Sequence, residues 1–187
     1  MTEPAVTSPR PSLALRHALL PTGGVGSYAV PEWLERVNTD YFQRRISSET
    51  LRAIQDVVIK AAIKDQELAG LDIVTDGELR RDNLVDHFAV RLAGVEIDRR
   101  QKAYYYDYYD AVVRHPLPLA PLHLEEEFLF AQRLTDRVVK FSITGPHTLV
   151  KRIRDEHYHD ERAFARDLAR VLNAELKRLA AAGATLL

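Results

Sequence analysis

Two stretches of the chain carry a helical hydrophobic period. Leu51, Ile54, Val58, Ala61 and Leu68 recur at three-, four- and seven-residue steps, which predicts an amphipathic helix over residues 48–69. Ser47 or Ser48 caps its start, Glu49 suits its first turn, and Gly70 follows its end. Phe164, Leu168, Val171, Leu172, Leu176 and Leu179 predict a second helix over residues 161–182, with Asp160 as cap and Gly183 as stop. Each helix runs through a glycine into a short apolar segment, residues 71–76 and 184–187, which reads as a buried strand. Two more strands are predicted near residues 19–25 and 138–144; the first ends among Gly23, Gly24 and Gly26, the second at Gly145-Pro146. Pro31-Glu32-Trp33-Leu34 opens a short helix. Residues 79–93 are expected to be helical with Leu84, Val85, Phe88 and Leu92 inward, and residues 123–135 form another short helix. Residues 95–121, with tyrosines from 104 to 109 and prolines at 116, 118 and 121, read as a hairpin-like excursion outside the main layers. Residues 1–18, rich in Pro, Ser and Thr, form a flexible leader.

Strands alternating with long helices imply βαβ crossovers and a parallel sheet, so the fold class is α/β. The glycine-rich and acidic residues fall after strands, at their C-terminal ends, where parallel α/β folds bind ligands. A complete (βα)8 TIM barrel takes about 250 residues. Four strands in 187 residues amount to a partial barrel of about four βα units plus the inserted excursion. The last strand has barely begun at Leu187, so residues 19–187 are expected to make about half a barrel.

Composition narrows the function classes. Lys and Arg number 26 against 27 Asp and Glu, a net charge of -1, so no basic excess asks for nucleic acid or an anionic membrane. No apolar run approaches the ~20 residues that cross a bilayer. The N-terminal residues make a poor signal peptide, and the expected location is cytoplasmic. The chain has no cysteine, which excludes disulfides, a cysteine nucleophile and a thiolate-bound zinc built by this chain alone.

Three constellations carry candidate chemistry. The Gly23-Gly24-Val25-Gly26-Ser27 loop is either a backbone cradle for a carboxylate or phosphate, or a plain tight turn. Asp76-Gly77-Glu78 places two carboxylates at a strand end, fit for binding an ammonium group, for acid–base work or for a metal, or else for an ordinary polar turn. Arg80, Arg81, Asp82 and Asn83 follow as possible partners of these carboxylates. Residues 155–161, with His157 and His159, have the look of a metal cluster, but His-X-His splits its rings across a helix and the segment reads as a charged surface loop. The tyrosine run suits a partner contact or an exposed hairpin better than base stacking.

The order of the pieces is more specific than any one of them. Val25-Gly26-Ser27-Tyr28 comes first, then residues 70–78 ending in Asp76-Gly77-Glu78, with Arg81-Asp82 and Phe88 after them. Thr144-Gly145-Pro146-His147-Thr148 follows, and then Glu175 through Gly183 into a strand. This order resembles the C-terminal catalytic domain of cobalamin-independent methionine synthase and its shorter single-domain relatives, which belong with the uroporphyrinogen decarboxylase-like barrels. The resemblance covers the first half of that barrel. It implies methyl transfer to the homocysteine thiol, with the loop of Val25, Gly26 and Ser27 holding the amino acid's carboxylate, Glu78 its ammonium, and Asp76 beside them. It also implies zinc, whose ligands in the family lie in the second half of the barrel. Asp76 stands where the long enzymes carry histidine. The place of their folate-stacking tryptophan falls near Arg152, and no Arg-Cys pair appears in residues 95–121, so the short relatives with another donor are closer. The implied ligand is homocysteine or a methionine-like amino acid. The implied partner is a second copy of the chain or a complementary half-barrel. A non-catalytic half-barrel interaction module, or alkyl transfer to another thiol such as coenzyme M, is the alternative.

Overall fold

The computed structural model describes residues 19–103 and 108–187, with backbone alone for 98–103 and 108–110. The leader at 1–18 and the tyrosines at 104–106 lie outside the described residues. Among the described residues there are six helices: α1 (Glu32–Phe42), α2 (Ser48–Leu68), α3 (Asp86–Ala89), α4 (Leu124–Gln132), α5 (Pro146–Arg152) and α6 (Glu161–Ala181). Five strands accompany them: β1 (Ile73–Val74), β2 (Val95–Ala103), β3 (Tyr108–Val113), β4 (Val138–Val139) and β5 (Arg154–Asp155). Among the described residues no helix is long and apolar enough to cross a membrane.

The central layer is a parallel ladder in chain order. Gly23 bridges Ile73, β1 pairs with β4 through Ile73–Val138 and Val74–Val139, and Lys140 bridges Leu186. Of the four predicted strands, the second and third are present as β1 and β4, while the first and last are reduced to single bridges at Gly23 and Leu186. The expected excursion is a second sheet of order β2-β3-β5, with β2 and β3 antiparallel in the register Val95–Val113 and β5 parallel to β3. Phe88, Phe128, Phe141 and Phe164 are fully buried between the ladder and its helices, Phe128 meeting Phe141 edge to face at 6.4 Å.

Both long helices begin as their sequence dictates. The Ser47 hydroxyl accepts the Thr50 N–H, and Asp160 accepts those of Arg162 and Ala163. Their buried faces differ from the apolar reading. In α2 the stripe is Gln55, Val58, Ile59, Ala62, Ile63 and Gln66, whereas Ala61 and Leu68 face solvent. The reason is Gln66. Its amide donates to Thr75 O at 2.9 Å and accepts from Thr75 N at 2.9 Å, satisfying both backbone groups of the residue after β1. In α6 Phe164, Leu168 and Leu179 are fully buried as expected, but Glu175 is buried with them, while Leu176 is only partly covered.

The helix expected over 79–93 shrinks to α3. Asn83 Oδ1 accepts the N–H groups of Val85 and Asp86, both at 2.8 Å, and so delays the helix start; Leu84 is left exposed. Helix α5, with Pro146 in its first turn, was not foreseen from hydrophobic period. The His-X-His segment is more ordered than a solvated loop. Tyr158 stacks on Phe164 at 5.1 Å, donates to Asp167 at 2.6 Å and accepts the Leu117 N–H at 2.9 Å.

Candidate functional site

The exits of three neighbouring strands converge. The first is the glycine-rich loop, pinned to the β1 exit at two points: Thr75 Oγ1 donates to Gly26 O at 2.8 Å, and Tyr28 N donates to Gly77 O at 2.9 Å. A third tie reaches the next strand, Lys140 Nζ donating to Gly24 O at 2.6 Å. The backbone N–H groups of Val25, Gly26 and Ser27 donate to no other described residue. Val25 and Ser27 are exposed, and the Ser27 hydroxyl makes only a long contact, 3.4 Å, to Tyr28 O.

The second exit is Thr75-Asp76-Gly77-Glu78. Gly77 (φ 69°) and Glu78 (φ 57°) are both left-handed, which turns the chain sharply back. A side chain at 77 would meet the Tyr28 Cβ at 2.9 Å, so glycine is required there for space as well as for φ. Thr75 Oγ1 accepts the Gly77 N–H at 3.1 Å, and Asp76 Oδ1 accepts the Glu78 N–H at 3.0 Å. Asp76 is 3% exposed. Burial pushes its carboxyl above the ordinary value, with the Arg81 guanidinium opposing that rise and Glu127 and Glu78 adding to it.

Glu78 is the residue that closes the site. A Cβ placed on Gly26 would lie 2.7 Å from Glu78 Oε1 and 3.1 Å from Ser142 Oγ, so only a hydrogen fits between that backbone and the two oxygens. On its other side, Glu78 Oε2 is 3.4 Å from Arg81 Nη1. Gly26 and Glu78, fifty-two positions apart, thus come into direct apposition, with Asp76 beneath them as the holder of the turn. This niche sets backbone donors that no described residue uses directly against a nearly buried carboxylate. Chemically it suits a zwitterion.

Arg80 and Arg81 divide. Arg80 points away from the niche, pairing with Asp56 of α2 and lying 4.5 Å over the Phe130 ring of α4. Arg81 turns inward. Sequence reasoning gave Arg81 only as a possible partner of the carboxylates and did not single out Ser142, whose sole signal is its place just after β4, level with the acidic turn after β1.

The donor set for zinc is absent from the described residues. The chain has no cysteine, and no three His, Asp or Glu side chains gather to hold a metal ion there. The residues present do not fit that group.

A family model described as the catalytic domain of the cobalamin-independent synthase matches residues 20–187. Among curated proteins, the methionine synthase of Sulfurisphaera tokodaii is 37% identical over 172 residues, covering 90% of this chain and 51% of that protein. That of Pyrococcus abyssi is 34% identical over 170 residues, covering 89% and 50%. A solved B12-independent methionine synthase from Shewanella sp. W3-18-1, in complex with selenomethionine, superposes with a TM-score of 0.74 at 30% identity, over 89% of this chain and 50% of that one. A putative B12-independent methionine synthase from Listeria monocytogenes gives a TM-score of 0.72 at 26% identity, over 87% and 49%. The chain spans about half the length of the curated relatives it matches.

Proposed function

Because the chain belongs to the family of the cobalamin-independent synthase catalytic domain, we propose that residues 19–187 form the N-terminal half of a methionine-synthase-like (βα)8 barrel. In that role the chain supplies the amino-acid half-site for methyl transfer to the homocysteine thiol. Glu78 receives the α-ammonium group, the N–H groups of Val25, Gly26 and Ser27 receive the α-carboxylate, and Asp76 fixes the turn that aims Glu78. The apposition of Glu78 Oε1 to the Gly26 backbone carries this reading, since it sets a carboxyl acceptor beside backbone donors that no described residue uses. The relative solved with selenomethionine supports an amino acid of the methionine type as occupant. The parallel pairing of β1 with β4, extended on either side by the parallel bridges Gly23–Ile73 and Lys140–Leu186, supports the half-barrel. The described residues offer zinc no ligand set. A complementary half-barrel, or a second copy of the chain, is the partner that would complete the ring.

The test is calorimetric titration of the chain with L-methionine and L-homocysteine, beside Glu78→Ala. A hydrogen bond to a charged partner is worth about 1.5–3 kcal/mol, so Glu78→Ala should weaken binding roughly 10- to 100-fold. Equal affinity of the two proteins refutes the assignment.

A further inference from the structure

We propose that Arg81 is the positioning residue of this site: its guanidinium, wedged between the exits of β1 and β4, anchors Glu78 so that one carboxylate oxygen is held and the other is presented to the ligand. The inference rests on the amino-acid reading of the niche. Arg81 Nη1 lies 3.4 Å from Glu78 Oε2, and Nη2 donates to Ser142 O at 2.6 Å. The Arg81 side chain is 3% exposed and the Glu78 side chain 10%. Phe88 and Phe141, both fully buried, hold the guanidinium from either ring at 5.4 and 5.6 Å.

A cation taken so far out of water costs several kcal/mol unless its partners compensate. The partners here are all groups of the site: the Glu78 carboxylate, the Ser142 carbonyl and the nearby Asp76. The two ends of Glu78 are thereby fixed separately. Asp76 holds its backbone N–H, and Arg81 holds Oε2. Among the described residues no hydrogen bond reaches the carboxylate from elsewhere, so Oε1 is left facing Gly26 and the Ser142 hydroxyl. Because Arg81 grips Ser142 as well, one side chain sets the gap between two strand exits. Lysine cannot reproduce this, since a point charge on a flexible stem lacks the two-pronged fork.

Arg80 is the internal control. It is equally buried at 6% exposure, but its contacts are with Asp56 and Phe130 of the helical layer. The experiment is a double-mutant cycle on the whole chain: wild type, Arg81→Met, Glu78→Gln and the pair, with Arg81→Lys and Arg80→Met alongside. Affinity for L-methionine is measured by calorimetry, or by ligand-observed NMR in the millimolar range, and each variant's melting temperature is recorded. The proposal expects Arg81→Met to weaken methionine about tenfold or more, Arg81→Lys to recover part of the loss, and Arg80→Met to leave affinity within about twofold while lowering the melting temperature. It further expects Arg81→Met to have no added effect once Glu78→Gln is present, because Arg81 acts through Glu78. Independent, additive losses, or an equal loss from Arg80→Met, overturn the positioning role and leave the half-site standing. Should Arg81→Met not fold, Arg81→Lys carries the same cycle. A wild-type chain that ignores methionine, or a Glu78→Gln that binds it unchanged, overturns the half-site and the role of Arg81 together.

Discussion

Glu175 offers a test of the scaffold beneath the site. Its carboxylate, fully buried in α6, accepts the Leu122 N–H at 3.0 Å and the Leu124 N–H at 2.8 Å, and Arg178 Nη1 lies 3.1 Å away. It thus caps α4 from another helix, across a start where His123 is left-handed (φ 57°) and gives no side-chain cap. Replacing Glu175 by alanine removes both charge-assisted bonds and leaves two covered N–H groups without a partner. At about 1.5–3 kcal/mol per bond to a charged group, the loss of two is on the order of 3–6 kcal/mol. In a chain of this size about 1 kcal/mol moves the melting temperature by roughly 2–4 °C, so a fall on the order of 10 °C is expected. Glu175→Gln keeps one acceptor and should lose about half as much. The pH dependence supplies a second signature. Burial alone would raise the Glu175 carboxyl, but the Leu122 and Leu124 N–H groups and Arg178 outweigh it and hold the group below its ordinary value of 4.5. A lowered acid stabilises the fold above its unfolded value, and that contribution disappears as pH falls through the lowered one. The gap between wild type and Glu175→Ala should therefore be full at neutral pH and shrink below about pH 4.5. Urea titration at pH 7 and at stepped acid pH measures it. A Glu175→Ala protein within about 1 kcal/mol of wild type at pH 7 would refute the capping argument.

Two further substitutions probe the niche itself. Gly26→Ala drives a methyl group to 2.7 Å from Glu78 Oε1, and overpacking of this kind costs about 1–3 kcal/mol; methionine affinity should drop about tenfold, and an unchanged titration would show that the apposition is loose. Asp76→Asn keeps an acceptor for the Glu78 N–H but cannot ionise. Burial raises the Asp76 carboxyl, so its stabilisation is complete at acid pH and fades as pH climbs from its ordinary 3.8 towards the raised value. The asparagine protein should consequently gain on wild type over that interval in a pH series of thermal melts, and a difference independent of pH would contradict the burial argument.

Local chemistry wrote much of this fold into the sequence. The caps at Ser47 and Asp160, the glycines after α2 and α6 and the hairpin all follow from neighbours close along the chain. The failures share a cause. Gln66 and Glu175 look like surface residues, yet each serves backbone groups that only the folded chain brings near; the Leu122 amide is 53 positions from Glu175. Periodicity cannot see such partners, and it placed the inner face of α2 one residue away from where the buried glutamines put it. At the niche, the glycine loop and the acidic turn were legible because each follows a strand. That Arg81 rather than Arg80 joins them, and that Ser142 does, was not, since the side chain that ties two strand exits together is specified by neither strand alone.

Glu78 sits in the left-handed region, where a residue with a Cβ pays roughly 1–2 kcal/mol of steric penalty that glycine avoids. A library of this chain selected for nothing but thermal resistance would weigh that penalty against the buried ion pair with Arg81, so glycine or asparagine at position 78 is expected only where Arg81 is replaced as well. Thermostabilising the chain without watching that pair would erase the one side chain the niche is arranged around.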